Sequence, residues 1–140
     1  RIAIVLGKDG GVIMPYRKLV RFGLGGVQGK WNQKFSWTHI EDLFEIVQFL
    51  KDREELSGVF NCSSPQAVSN RELMKLLRKT MNVPFGLPSP KWILEIGSLL
   101  INTETELVLK SRWVLPDRLE CEGYKFTYNT LDKTLQDILK

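Results

Sequence analysis

An α/β fold is predicted for this chain, on three observations. Strand-like and helix-like periodicities alternate three times before residue 85. Two S/T-x-x-E capping boxes, Thr38 with Glu41 and Ser69 with Glu72, mark helix starts directly after apolar runs. Three prolines between Pro84 and Pro90 then separate this alternation from a more helical remainder.

Each element follows in order. Arg1 to Leu6 is β-branched and reads as a strand, with Gly7, Gly10 and Gly11 forming the turn after it. Val12 to Phe22 reads as a helix carrying Ile13, Leu19, Val20 and Phe22, and Pro15 falls in its first turn, where a missing amide costs little. The connector Gly23 to Gly29 resembles a phosphate loop only superficially. Gln28 replaces the last glycine of G-x-G-x-x-G, and the connector follows a helix and precedes a strand, so it is expected to be a turn.

The next stretch, Phe35-Ser36-Trp37-Thr38-His39-Ile40-Glu41-Asp42, organises the rest. Phe35 and Trp37 alternate with Ser36 as in a half-buried strand, and a helix capped by Thr38 is expected to bury Ile40, Leu43, Phe44, Val47 and Leu50. This places the chain's single histidine and Asp42 at a strand-to-helix junction, where α/β proteins often hold ligands. Packing and capping account for the same residues equally well. Val59 to Cys62 reads as a third strand, and a helix after Ser69 carries Leu73, Leu76, Leu77 and Met81 on one face. Beyond the prolines, helices are expected over Trp92 to Ile101 and Glu104 to Lys110. Pro116 starts a turn or helix that Gly123 stops. Tyr124, Phe126 and Tyr128 alternate as in an edge strand, and a last helix carries Leu131, Leu135, Ile138 and Leu139.

Bulk properties narrow the function classes. The length suits one domain, and no apolar run approaches the roughly 20 residues of a membrane span. With no secretory leader either, the chain is expected in the cytoplasm. Cys62 and Cys121 are far apart, and one histidine leaves little for a zinc site, so reduced thiols are expected. Net charge is +4, but residues 1–40 hold seven basic residues against one acid. A basic first third suits an anionic ligand or partner. Arg1 running directly into a buried strand, without an initiator Met, suggests a piece of a longer protein.

The segments Arg1-Ile2-Ala3-Ile4-Val5-Leu6-Gly7, Phe22-Gly23-Leu24-Gly25-Gly26 and Ser36-Trp37-Thr38-His39-Ile40-Glu41-Asp42-Leu43 resemble the second half of extended short-chain dehydrogenase/reductases, in the NAD-dependent epimerase-like subgroup. Pro88-Ser89-Pro90, Lys110-Ser111-Arg112-Trp113-Val114-Leu115-Pro116 and Glu122-Gly123-Tyr124-Lys125-Phe126-Thr127-Tyr128 resemble the small domain of unknown function that closes those chains. Ala3 and Thr38 depart from the usual Gly and Ile, and Gly97-Ser98 stands where Gly-Glu is usual.

The resemblance implies a partial Rossmann-like sheet with flanking helices over 1–87 and a small helical domain over 88–140. It also implies what this sequence lacks. The family binds its dinucleotide at a glycine-rich turn and does acid/base work with a Y-x-x-x-K pair. Here Tyr16 is followed four residues on by Val20, Tyr124 by Tyr128, and Tyr128 by Asp132. The resemblance therefore implies a substrate-side portion of an NAD(P)-dependent epimerase- or dehydratase-like oxidoreductase, non-catalytic alone. NAD or NADP would be held in the full-length parent and by none of this portion alone. A nucleotide-binding half would precede Arg1, and a small-molecule substrate would lie between the two. By family position Trp37, His39 and Lys30 would border the substrate, and Asn61 and Pro65 the cofactor. The uncovered first strand would offer an edge for pairing between copies. An alternative class is a binding module, in its sharpest form a nucleic-acid binder through Arg17, Lys18, Arg21, Lys30, Trp31, Lys34 and Trp37.

Overall fold

A computed structural model describes residues 1–8, 10–27, 32–88 and 113–140. The helices expected over Trp92 to Ile101 and Glu104 to Lys110 lie outside these residues, as do Lys30 and Trp31.

The α/β expectation holds. β1 (Ile4–Leu6) leads through a glycine turn to α1 (Ile13–Arg21), then come β2 (Lys34–Phe35), β3 (Trp37–His39) and α2 (Ile40–Lys51). β4 (Val68–Ser69), α3 (Asn70–Thr80), α4 (Asp117–Cys121) and α5 (Leu131–Leu139) complete the described elements. β1 and β3 pair in parallel, with Ile4 opposite Trp37 and Leu6 opposite His39. β2 instead pairs antiparallel with β4, Phe35 opposite Val68. The run from Phe35 to Trp37 is therefore two short strands, and buried Ser36 is where the chain passes from one sheet to the other.

Val59 to Cys62 forms less of a strand than its composition suggests. It makes a single parallel bridge between Cys62 and Ile2, with Ala3 N–H donating to Cys62 O at 3.0 Å and Cys62 N–H to Arg1 O at 2.7 Å. Tyr124 to Tyr128 is likewise not a strand: the Tyr124 amide donates back to Leu119 O, and those of Thr127 and Tyr128 are directed to a side chain.

Among the described residues two apolar clusters hold the fold. The larger joins Leu6, Ile13, Tyr16, Val20, Phe35 and Trp37 to Leu73, Met74 and Leu77 of α3 and to Leu131, Leu135 and Ile138 of α5. Burying aliphatic side chains of this size stabilises by about 1.5–3 kcal/mol each. The last helix thus shares its core with the first strand. Phe22, expected among the apolar positions of α1, stands at the helix C-terminus and is 80% exposed. The smaller cluster packs Ile46 of α2 with Phe60, Cys62 and Leu119.

The glycine connector answers to packing. Gly26 N–H donates to Leu87 O at 3.0 Å, Leu87 N–H to Gly23 O at 2.8 Å, and Arg78 Nη1 to Gly25 O at 2.7 Å. Two backbone segments cross so closely that a Cβ on Gly26 would fall 2.4 Å from Pro88 N, and one on Gly86 2.5 Å from Gly25 C. Glycine is required there by the approach of another backbone, which the turn expectation did not include.

Candidate functional site

The strand-to-helix junction is where buried polar groups concentrate. Trp37 is fully buried, and its indole N–H donates to Gln66 O at 2.8 Å. His39, 1% exposed, caps α2: its Nδ1 accepts the Glu41 N–H at 3.1 Å. Accepting there leaves Nδ1 unprotonated and assigns the ring hydrogen to Nε2. Nε2 faces Asp137 Oδ2 at 3.3 Å, too poorly aligned for a hydrogen bond. Lys8 supplies the cation, 3.5 Å from Asp137 Oδ1.

The capping expectation is corrected here. Thr38 belongs to β3, is fully buried, and its hydroxyl has no hydrogen-bond partner. The helix starts one residue later because the imidazole reaches the orphan amide that a Thr38 hydroxyl would otherwise cap. The Ser69 cap is as expected, its Oγ accepting Glu72 N–H at 3.2 Å.

Above the histidine lies Tyr128, stacked with ring centroids 3.6 Å apart and planes 15° from parallel. Its hydroxyl donates to Glu41 Oε2 at 2.9 Å, and that bond, ahead of burial and the neighbouring carboxylates, pushes its pKa up to about 12. Asp42, 1% exposed, holds the same segment by its backbone. Oδ1 accepts Thr127 N–H at 2.9 Å and Oδ2 accepts Tyr128 N–H at 2.8 Å. Tyr124 adds its hydroxyl, donating to Asp42 O at 3.2 Å and Oδ1 at 3.4 Å.

This carboxylate rotates α2 part-way from the expected face, with Leu43 and Leu50 packed inward as expected. Asp42 and Ile46 point inward with Phe49 behind them, while Ile40, Phe44 and Val47 are 48%, 60% and 53% exposed. A carboxylate that accepts two amides outweighs the apolar pattern in setting the helix's rotation.

The neighbouring loop holds a second tail segment. Ser36 Oγ accepts Val114 N–H at 2.8 Å, Ser63 Oγ donates to Val114 O at 3.0 Å, and Asn61 Nδ2 donates to Leu115 O at 3.3 Å. Asn61 and Pro65 are half-buried, and their loop borders β3 through Ser64 N–H, which donates to Trp37 O at 2.6 Å. The structure thus gathers Trp37, His39 and Asp42 and sets Asn61 and Pro65 beside them. Lys30 lies outside the described residues. Trp37 has no exposed ring face on which a base could stack, and Lys34 lies over the Trp113 ring at 4.4 Å.

Sequence reasoning missed Tyr128 and Asp137 as partners of His39. The one available signal was the aromatic alternation of the tail, and it points equally to an edge strand.

Chemically, the junction is rich in acceptors and poor in activated groups. Burial raises the Tyr16 hydroxyl; burial and then Asp42 and Glu45 raise that of Tyr124. All three tyrosines are thus shifted away from the phenolate a Tyr base requires. Burial also raises the Cys62 thiol, and both cysteines are free. Among the described residues no group of three or more His, Cys, Asp or Glu could hold a metal, and no helix is long and apolar enough to cross a membrane.

Comparison with known proteins agrees with this fold. Residues 89–138 match the family described as Domain of unknown function (DUF1731). An epimerase family protein of Staphylococcus aureus is 29% identical over 140 residues, which is all of this chain and 46% of that protein. The crystal structure of a human epimerase family protein with NADPH superposes with a TM-score of 0.83 at 27% identity, covering 99% of this chain and 46% of that one. A nucleoside-diphosphate sugar epimerase from Corynebacterium glutamicum gives 0.72 at 25% identity, covering 99% and 25%. The chain spans about half the length of the curated relatives it matches. The resemblance to the C-terminal portion of epimerase-like short-chain dehydrogenase/reductases, closed by the small domain, therefore holds, and so does the Rossmann-like fold class.

Proposed function

We propose, from a chain that corresponds to part of an epimerase family protein, that these residues form the substrate-side portion of an NAD(P)-dependent oxidoreductase or epimerase. The division falls near residue 87. The observation that carries the proposal is the match to the human structure with NADPH over nearly the whole chain, in a sequence without a dinucleotide-binding turn or a Tyr-x-x-x-Lys pair. The raised tyrosine hydroxyls support the same reading. In it, the nicotinamide cofactor supplies hydride transfer from a site built mainly elsewhere, and this chain shapes the substrate pocket.

Trp37 and His39, held by Gln66 and Tyr128, back that pocket from beneath its surface, with Lys30 as a substrate contact. Asn61 and Pro65 border the cofactor edge. The work is cytoplasmic, on a small-molecule substrate. The test is turnover. The 140-residue protein, incubated with NADH or NADPH and a panel of carbonyl substrates, is expected to oxidise neither cofactor. Cofactor oxidation that follows the purified chain and is lost on its denaturation would overturn the proposal.

A further inference from the structure

α1, the C-terminal end of α3 with the residues after it, and the end of α5 border a groove of about 460 Å³. None of its lining residues belongs to the strand-to-helix junction. Its apolar floor is Met81, Val83 and Leu139, each packed against the larger core. Arg17, Arg21 and Lys140 add three cations, and no acidic side chain lines it. Arg17 and Arg21 stand one turn apart on α1, Arg17 half-buried and Arg21 exposed. Among the described residues no hydrogen bond or ion pair reaches either guanidinium. The helix ends do not require these cations. Lys18 O and Val20 O of α1 accept Phe22 and Gly23 N–H at 3.1 Å each, and Leu77 O and Arg78 O of α3 accept Met81 and Val83 N–H at 3.0 and 2.9 Å. The helix dipole accounts for Arg21 in the last turn but not for Arg17 in the middle of α1. A half-buried guanidinium without a partner, beside an apolar floor, fits an anion that also carries apolar surface.

We propose that this groove binds an extended segment of a partner protein in which acidic and aliphatic residues alternate. Side chains one turn apart on a helix are about 5–6 Å apart, and alternate side chains of an extended peptide repeat at about 6.6 Å. Two carboxylates at i and i+2 therefore match Arg17 and Arg21, and the aliphatic residues between them face the other way, for Met81 and Val83 to cover. The aliphatic floor selects a peptide over a nucleic acid, whose phosphates would leave Met81, Val83 and Leu139 uncovered.

The probe is the peptide acetyl-Glu-Leu-Glu-Leu-Glu-amide, titrated into the isotope-labelled 140-residue protein and followed by NMR. Saturable shifts are expected at the amides of Thr80, Asn82, Val83 and Leu139, with an affinity that falls at least about threefold between about 50 and 200 mM salt. Arg17→Glu combined with Arg21→Glu should weaken binding more than about tenfold and should bind acetyl-Lys-Leu-Lys-Leu-Lys-amide instead. Arg21→Gln, at an exposed position, should weaken it about threefold and serves as the test if the double reversal fails to fold. No saturable shift at these amides, or an affinity unchanged by the double reversal or by Arg21→Gln, would overturn the proposal. An oligothymidylate of about ten residues that shifts the same amides as tightly as the peptide would make the groove a nucleic-acid surface and overturn it as well.

Discussion

The Asp42 carboxylate accepts the backbone N–H of Tyr128 at 2.8 Å across 86 residues of sequence. With the Thr127 amide on its other oxygen, it fixes the C-terminal segment over the start of α2. His39 is stacked under the same tyrosine, so one turn of helix holds the tail by backbone and by ring. The junction is therefore a clasp, whatever else it borders.

Asp42→Asn should destabilise substantially. The amide presents one acceptor where two buried N–H groups need partners, and hydrogen bonds to a charged group are worth about 1.5–3 kcal/mol each. A loss of about 2–4 kcal/mol is expected by urea unfolding. A loss within error of zero would mean that water serves the two amides equally well.

His39 and Thr38 should respond in opposite ways. His39→Ala removes the helix cap, at about 0.5–2 kcal/mol, and the ring stack, at about 0.5–1.5 kcal/mol. Thr38→Val removes a buried hydroxyl with no partner and should be neutral or mildly stabilising. Paired thermal melts check both. A larger loss at Thr38 would restore the capping box suggested by the sequence.

How much of this was legible follows from what kind of interaction set each feature. The order of elements could be read because β-branched runs, Ser69 capping and the α3 stripe of Leu73 and Leu77 are local signals. The rotation of α2 could not. Its pattern favours burying Phe44 and Val47, and the partner that turns Asp42 inward lies more than 80 residues away. The same non-local cause hid Tyr128 and Asp137 from the site. The turn at Gly26 was legible as a turn, but its partner at Leu87 was not.

Gly26→Ala and Gly86→Ala should each destabilise by about 1–3 kcal/mol, since the added methyl meets backbone rather than a movable side chain. Gly10→Ala is the control, with nothing within 4 Å of its Cβ position. Urea unfolding of the three variants decides it. Equal losses at all three would attribute the effect to something other than the crossing.

Stability should fall at alkaline pH. The folded-state hydroxyls of Tyr16, Tyr124 and Tyr128 are raised above the ordinary 10.0, so the folded chain keeps protons that the unfolded chain releases. Their contribution is intact below pH 10 and declines as pH rises; for Tyr128 the decline ends near pH 12. Tyr16→Phe should flatten this slope. At neutral pH it should be neutral or slightly stabilising, because the buried Tyr16 hydroxyl has no partner. A slope unchanged by Tyr16→Phe would assign the alkaline loss to other groups.

Amide hydrogen exchange at Thr127 and Tyr128, followed by NMR in the unsubstituted chain and in Asp42→Asn, tests the clasp most directly. Both amides should be protected in the unsubstituted chain and exchange at least about tenfold faster in Asp42→Asn, while α1 and α3 amides keep most of their protection. Unchanged protection at these two amides in Asp42→Asn would contradict the clasp.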